Sequence, residues 1–558
     1  MTARTARGST GFRIVIWGLV LLGGLLGTEL VRSQPASAHA VLVSSIPADG
    51  SRVNTQPAQV RLTFDEPVGL IPAAEQVLSI TGRRADTGHA YLAQGGITIV
   101  LTLKPHLPHG TYSATWRVVS ADTHVVSGSI TFGLGVMPGT GPSAPTGHTG
   151  QLDVAASVAQ ALVYAGVVLL VGVSAVVRLL WPWALRYRRI RVLAWAGWTA
   201  LLTGTAGLFL LQGPRADNTS WAAVGRLAGA DQTADSPFGQ QLIARAGLLL
   251  LVAPLLTRRG QAALPGRAGD LTRVAAAFAI LATVAVTGHE AAGPTVWLAL
   301  PSAVLHLGAM ALWLGGLVML GMAVVPAVKA GERTLAGARL PRWSLTAYVC
   351  VVCLAVTGEY QASRQISPIQ ALWSTRYGIT LLIKVGLVAV MVAAAYLAYR
   401  RIPGLADGPV DGGETLRAVK RTVGIETAVA VLVLAVTAAL VSDPPARTTY
   451  GPAVTMSAPL GADHVSVHVD TTRRGPQAIA IDVLDPAGRP VQVRTASAMV
   501  SSATVPALNL VLRKVTPDGS QWVTTAAVIP LPGIWTLTLN IGLGEADAYT
   551  TSASYRVW

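Results

Sequence analysis

The segment Ala36-Ser37-Ala38-His39 combines a processing signal with a candidate metal ligand. It follows three arginines and an apolar run over residues 14–26. A basic start, an apolar run and an Ala-x-Ala ending are typical of a secretory signal peptide, here residues 1–38. Cleavage after Ala38 exposes the amine of His39, which can chelate one ion together with its own imidazole. Such a nitrogen-rich chelate suits Cu(II).

Asp122 and His124 form a second candidate, because they lie two residues apart in an alternating, strand-like segment. On a strand both side chains project from the same face, with their Cα atoms about 7 Å apart. Asp and His are also common on exposed surfaces, so this pair alone is a weak indication. Together with a processed His39, metal binding becomes the better interpretation.

Two histidines belong to the most apolar part of the chain. His289 follows one apolar run, and His306 lies within the next run together with Met310. Ionisable residues within a membrane are costly and usually functional, and Met310 is one helical turn from His306 on the same face. The three residues define a candidate metal path. Taken singly, each histidine is equally well interpreted as an interfacial residue, and Met310 is better interpreted as core packing.

Cys350 and Cys353 are the only two cysteines. They are three residues apart in an apolar run, so they share one face of a helix, and thiolates are soft ligands suited to Cu(I). Free cysteine is commonly a small buried apolar residue, so we rank this pair below the histidines as ligands.

The composition indicates a membrane protein that crosses the bilayer several times. The chain has 558 residues, of which 51% are hydrophobic and 12% charged. The charged fraction is roughly half of the usual 25%. The formal net charge is +15, but the basic residues cluster between apolar runs, where they act as topology signals. This distribution argues against a nucleic-acid partner.

The sequence predicts an exported β-sandwich near each end of the chain. Residues 39–135 alternate apolar and polar residues between Gly/Pro turns, which predicts a β-sandwich of the cupredoxin or immunoglobulin type. Residues 136–152 are rich in Gly, Pro, Ser and Thr and predict a linker. Residues 445–558 return to alternating strands and predict a second exported sandwich. Neither sandwich has a disulfide framework, because both cysteines lie elsewhere.

Residues 153–441 predict an α-helical membrane bundle with eight spans, since about 20 apolar residues cross a bilayer. The eight runs lie near residues 153–177, 192–212, 239–256, 272–288, 300–325, 344–360, 378–399 and 422–441. Lys and Arg concentrate in the loops after the first, third, fifth and seventh runs. By the positive-inside rule, both mature termini then face outward.

The membrane segment also contains an internal sequence repeat. Phe238-Gly239 followed by Arg245 matches Tyr377-Gly378 followed by Lys384, and Thr203-Gly204 matches Thr357-Gly358. The matching runs are four spans apart, so both copies have the same orientation. This predicts a parallel repeat of four plus four spans, in which Arg245 and Lys384 serve as structural anchors.

Three motifs in the N-terminal segment agree in order with one known family. They are His39-Ala-x-Leu-x-x-Ser-x-Pro-Ala-x-Gly50, Leu62-x-Phe-x-Glu-Pro-Val68 and Trp116-Arg-Val-Val-Ser-Ala-Asp-x-His124. With them, residues 39–135 resemble the CopC copper-binding family. The resemblance implies that His39, Asp122 and His124 bind Cu(II). The Met-rich Cu(I) site of some relatives is missing from this segment, which has a single Met.

Three further motifs lie in the membrane segment: Val286-Thr-Gly-His-Glu290, Leu305-His-Leu-Gly-Ala-Met-Ala-Leu-Trp-Leu-Gly-Gly316 and Tyr377-Gly-x-x-Leu-x-x-Lys384. They resemble the CopD copper-transport family over nearly all eight spans. The C-terminal segment resembles the YtkA-like sandwiches that are appended to other CopC–CopD fusions.

These features predict a multi-pass protein of the cell membrane that binds copper outside and transports it, in the import direction, in copper homeostasis. We expect Cu(II) in the exported domain and Cu(I) in the membrane domain. The expected partners are copper ions, the lipid bilayer, and an exported copper chaperone or cuproenzyme. We expect no enzyme and no catalytic residues, and no P-loop motif indicates ATP-driven transport.

Two other functions fit the same residues. His289 and His306 could be axial ligands of a haem in an electron-transfer protein. Alternatively, the protein is a membrane-tethered copper chaperone that delivers metal to exported enzymes. A copper-dependent oxidase built on the His39 chelate is a weaker alternative.

Overall fold

The computed structural model describes most of the chain. The described residues are 40, 42–64, 66–70, 75–120, 125–138, 150–216, 221–227, 229–263, 265–288, 295–324, 326–327, 339–401, 414–503, 505, 507–516, 519–529, 531–544 and 547–558. They fall into two compact units, one built around His148–Pro444 and the other from Ser37–Gly147 with Pro445–Trp558.

The N-terminal segment forms two sheets around one core, which confirms the predicted β-sandwich. Its strands are β1 (Leu42–Ile46), β2 (Arg52–Val53), β3 (Gln59–Phe64), β4 (Gly69–Leu70), β5 (Gln76–Ser79), β6 (Asp86–Ala93), β7 (Thr98–Leu103), β8 (Gly110–Val119) and β9 (Val125–Leu134). One sheet has the order β1-β3-β7-β6, and the other has the order β2-β9-β8-β4 with β5 also paired to β8. Alternate residues of β3 are buried, as a strand with one face on a core requires.

The membrane segment is helical. Its long helices are α1 (Gly150–Leu179), α2 (Arg188–Ala216), α3 (Pro237–Leu256), α4 (Gly266–Val286), α5 (Val296–Val324), α6 (Leu340–Gln365), α7 (Arg376–Arg401) and α8 (Glu414–Ser442). Among the described residues, seven of these helices are long and apolar enough to cross a membrane, and α8 holds a shorter apolar stretch, Ala428–Ser442.

Polar contacts tie together the helix ends that should lie on one membrane face. Arg215 near the end of α2 binds Asp153 near the start of α1, with Nε and Oδ1 2.9 Å apart. Ser442 at the end of α8 accepts a hydrogen bond from Ser157 of α1 at 3.1 Å. The starts of odd helices thus meet the ends of even helices, as in a bundle whose chain reverses direction at each span.

Helices α1 and α5 form the centre of the bundle. In each, 61% of the most apolar window is buried, compared with at most 28% in the other five candidate spans. The two helices touch at Gly172 and Gly315. A Cβ atom on Gly172 would collide with the carbonyl of Ala311, and one on Gly315 would collide with the backbone of Gly172. Only glycine permits this backbone contact.

Both copies of the repeated Gly motif have the same local structure. Ser236 caps α3 and accepts a hydrogen bond from the amide of Gly239 at 3.0 Å, and Thr375 accepts one from Gly378 at the start of α7 at 3.1 Å. A short helix precedes each cap, Ala230–Asp235 and Ala371–Ser374. Each glycine lies directly against backbone atoms of that short helix.

The C-terminal segment forms two antiparallel sheets. Its strands are β10 (Val454–Leu460), β11 (Asp463–Val469), β12 (Gly475–Leu484), β13 (Thr495–Ser502), β14 (Leu508–Leu510), β15 (Arg513–Lys514), β16 (Gln521–Ile529), β17 (Gly533–Gly542) and β18 (Ala548–Val557). The sheet orders are β10-β11-β12-β16-β15 and β14-β13-β17-β18. Both sheets contribute buried side chains to one core, in which Trp535 is fully buried.

The contact between α1 and α5 gives a first prediction. Gly172→Val inserts atoms where backbone already lies, so we expect a loss of about 1–3 kcal/mol or more in the free energy of unfolding. Gly247→Val in α3 is the matched control, because a Cβ atom there meets no other atom within 4 Å. Thermal unfolding of the detergent-purified proteins checks this. Equal melting temperatures for the two variants would contradict the central role of this contact.

Candidate metal sites

Four predicted ligands, His39, Asp122, His124 and His289, lie outside the described residues. The structure describes residues close in sequence to three of them, His39, Asp122 and His124. Asp122 and His124 belong to the connection between β8 and β9, which pair from Gly110 with Leu134 to Val119 with Val125.

The residue that follows His39 is anchored in the N-terminal core. Ala40 and Leu42 are buried, with 1% and 8% of their surface exposed. Leu42 pairs with Phe64 at the end of β3. The Phe64 ring contacts the ring of Trp116 on β8 edge to face, with centroids 6.2 Å apart. The chain leaving His39 and the end of β8 therefore lie at the same end of the sandwich.

His306 of α5 is held by α6. Its Nδ1 lies 2.8 Å from the hydroxyl oxygen of Thr357, and that hydroxyl donates its proton to the carbonyl of Cys353 at 2.6 Å. A hydroxyl has only one proton, so Thr357 must accept from His306. The proton of the neutral imidazole is then on Nδ1, and the Nε2 lone pair remains available for a metal.

His306 lies well inside its helix. Helix α5 begins at Val296, ten residues before His306. At 1.5 Å per residue this is about 15 Å from the start of the helix, which is half of a hydrocarbon core of about 30 Å.

Thr357 is a candidate positioning residue that the sequence does not reveal. Its neighbour Gly358 lies against the imidazole of His306, 3.4 Å from the ring Cε1 to a Cβ atom built on the glycine. The Thr357-Gly358 pair belongs to the internal sequence repeat. The sequence does not show that this pair contacts His306, because no sequence pattern fixes the position of α6 along α5.

The other predicted membrane ligands are buried in or near one hydrophobic core. Cys350 is buried in it, and Cys353 and Met310 pack against it. Met310 also packs against the second core of the bundle, as its interpretation as a packing residue requires. Among the described residues, no three His, Cys, Asp or Glu side chains are grouped so that they could hold a metal ion.

Arg245 of the repeat is an internal anchor. It is fully buried and donates to the carbonyl oxygen of Thr283 at 2.6 Å and to the hydroxyl of Thr287 at 2.8 Å. These contacts join α3 to the outer end of α4, in agreement with the expected structural role.

Fold and site together define a membrane protein that combines a helical bundle with β-domains, and comparison with known proteins specifies the family. The CopC domain model matches residues 42–135, and the model of copper resistance protein D matches residues 337–440. Copper transport protein CutJ of Bacillus subtilis is 26% identical over 494 residues, which cover 85% of this chain and 86% of CutJ.

Relatives of the N-terminal domain alone are also found. Copper resistance protein C of Pseudomonas syringae is 38% identical over 114 residues, covering 19% of this chain and 90% of the relative. The crystal structure of CopC from Methylosinus trichosporium is 30% identical, covers 17% of this chain and 93% of that chain, and has a TM-score of 0.16. The chain belongs to the CopC–CopD family of copper-resistance and copper-transport fusion proteins.

A partly buried carboxyl group in the first CopC motif gives a second prediction. Asp49 accepts a hydrogen bond from the amide of Thr131 on β9 at 2.7 Å. Burial raises the pKa of Asp49 from 3.8 to about 6, although hydrogen bonds from the amides of Thr131 and Gly50 act in the opposite direction. The folded domain therefore holds this proton more tightly than the unfolded chain does.

The free energy of unfolding should decrease as the pH rises from about 4 to about 6, because the folded state must release this proton, and then level off. Asp49→Asn keeps an acceptor for Thr131 but does not titrate. Melting temperatures of the isolated domain 39–138 and its variant, measured from pH 4 to 7, check this. The advantage of the variant should grow up to about pH 6, whereas a constant difference would show that Asp49 has an ordinary pKa.

Proposed function

We propose that this protein binds copper outside the cell membrane and transports it inward. The observation that carries the proposal is His306, which lies within a membrane helix and presents an unprotonated Nε2 because Thr357 accepts its Nδ1 proton. Its relative CutJ is named as a copper transport protein and matches this chain over most of both lengths. The family of this chain and the unprotonated Nε2 of His306 both support copper as the transported ion.

The proposed topology has eight spans with both mature termini outside. Seven described helices meet the length and composition required, and α8 contains the apolar stretch of an eighth. The distribution of Lys and Arg between the loops supports this orientation. We assign the two C-terminal sheets to a second exported β-sandwich, since both bury one face in a shared core.

Copper capture is assigned to His39, Asp122 and His124 of the N-terminal domain. The motifs that contain these residues support the assignment, as does the anchoring of Ala40 at the end of the sandwich where β8 ends. Imidazole and amine nitrogens favour Cu(II). The domain would therefore act as an outer receptor that raises the local copper concentration at the membrane.

The path through the membrane is assigned to His289, His306 and Met310. Met310 lies one turn further into α5 than His306, about 6 Å along the helix. An ion bound at Nε2 of His306 can then pass to the Met310 thioether without leaving the seam between α5 and α6. In this scheme Thr357 positions the imidazole but does not bind the metal.

The test compares copper uptake into sealed, right-side-out vesicles that contain wild-type protein or His306→Ala. We expect the variant to fall to the level of empty vesicles and the control His89→Ala, an exposed histidine on β6, to match wild type. Inside-out vesicles should accumulate no copper if the direction is inward. Unchanged uptake by His306→Ala would contradict the route through His306. Wild-type uptake no higher than that of empty vesicles would leave the tethered chaperone as the function, and a haem absorbance spectrum of the purified protein would favour electron transfer.

Thr357 gives a separate prediction. Thr357→Val keeps the shape but removes the acceptor for His306, so we expect copper affinity of the membrane domain to fall by about 10–100-fold. Thr357→Ser retains the hydroxyl and should restore most of the affinity. Competition with a copper chelator measures both variants, and equal affinities for valine and serine would show that the Nδ1 hydrogen bond does not orient the ligand.

A further inference from the structure

Contacts between α5 and α6 fix which residues of the two helices lie at the same depth. His306 contacts Thr357 and Gly358. Nearer the other end of α5, the ring of Trp343 lies where a Cβ atom on Gly316 would be. Consecutive spans run in opposite directions, so a step inward is a higher number on α5 and a lower number on α6.

Sulfur-containing side chains lie one helical turn inward from this contact. Met310 is four residues beyond His306, and Cys353 is four residues before Thr357. Each step is about 6 Å along its helix, so Met310 and Cys353 lie at the same level. Cys350 follows within a further turn on the same face of α6.

Cys350 is 15 residues from Gln365, the last residue of α6, which is about 22 Å from that helix end. It is buried in the described hydrophobic core, with 4% of its surface exposed, and Cys353 and Met310 pack against the same core.

We propose that the sulfur atoms of Cys350 and Cys353, with the thioether of Met310, form a Cu(I) site inward of His306. Soft thiolate and thioether ligands select Cu(I), and among the described residues no three His, Cys, Asp or Glu side chains are grouped as a competing site. One thiolate neutralises the single charge of Cu(I), which keeps the cost of placing the ion in a low-dielectric core small. The inference rests on the proposed function, because it names the oxidation state of the transported copper. Cu(II) held by the exported domain must first take up one electron from an external reductant, such as a thiol, before it binds at the sulfur site.

The chain offers a clean readout, because Cys350 and Cys353 are its only cysteines and both are free thiols. The full-length protein is purified in detergent, loaded anaerobically with Cu(I), and examined by X-ray absorption for sulfur ligands and by chelator competition for stoichiometry. We expect one Cu(I) with a sulfur-only shell, lost in Cys350→Ala/Cys353→Ala. An unchanged shell or stoichiometry in this double variant overturns the proposal.

The thioether is tested with a matched control. Met310→Leu should weaken Cu(I) binding by about tenfold or more, whereas Met319→Leu should not. Met319 is fully buried in the same core but lies about 13 Å further along α5 than Met310. If both variants bind alike, Met310 is a packing residue and its part of the site is wrong.

The experiments distinguish a failure of the Cu(I) site from a failure of the proposed transport function. A protein that binds Cu(I) through sulfur but does not transport copper contradicts the proposed function and retains the site. A protein that transports copper, with uptake unaffected in the double cysteine variant and no sulfur-bound Cu(I), contradicts the site and retains the function. Thermal unfolding of each variant shows that a loss of binding does not come from misfolding.

Discussion

The bundle depends on the backbone contact between Gly172 of α1 and Gly315 of α5. Apolar burial drives helix association weakly in a lipid environment, so close packing of small residues has to supply much of the attraction. At this crossing neither helix has room for a Cβ atom. The two most buried helices thereby form an axis, and the other helices pack around it.

This axis also shows how a duplicated scaffold acquired a site in only one half. Val163 lies nine residues before Gly172, and His306 lies nine residues before Gly315. Val163 contacts Gly204 of α2, and His306 contacts Gly358 of α6. The two positions are equivalent in the repeat, so an apolar side chain fills the first half where the second half has an imidazole. In the proposed function, the first half contributes packing at this position and the second half contributes a copper ligand.

Local patterns predicted much of this organisation. The alternation in residues such as Val60, Leu62 and Phe64 specified the N-terminal sandwich, because each buried side chain there follows directly from a two-residue period. The repeated glycines at 239 and 378 marked true helix starts, since a Ser or Thr cap and a close backbone approach both require small residues nearby.

Relations between helices could not be predicted in the same way. The hydrogen bond from His306 to Thr357 joins residues 51 positions apart, and its existence depends on the relative shift of two helices that no local period encodes.

The donor atoms form a graded series along the proposed route. Amine, imidazole and carboxylate ligands are assigned to the exported domain, one imidazole to the middle of α5, and sulfur ligands to the core beyond it. Softer ligands bind Cu(I) in preference to Cu(II), so each step inward favours the reduced ion more strongly. A steep increase in affinity would trap the ion, yet thioethers are neutral and weak ligands compared with thiolates. Pairing two thiols with one thioether would therefore allow selective entry while leaving release at the inner face within reach of a concentration gradient.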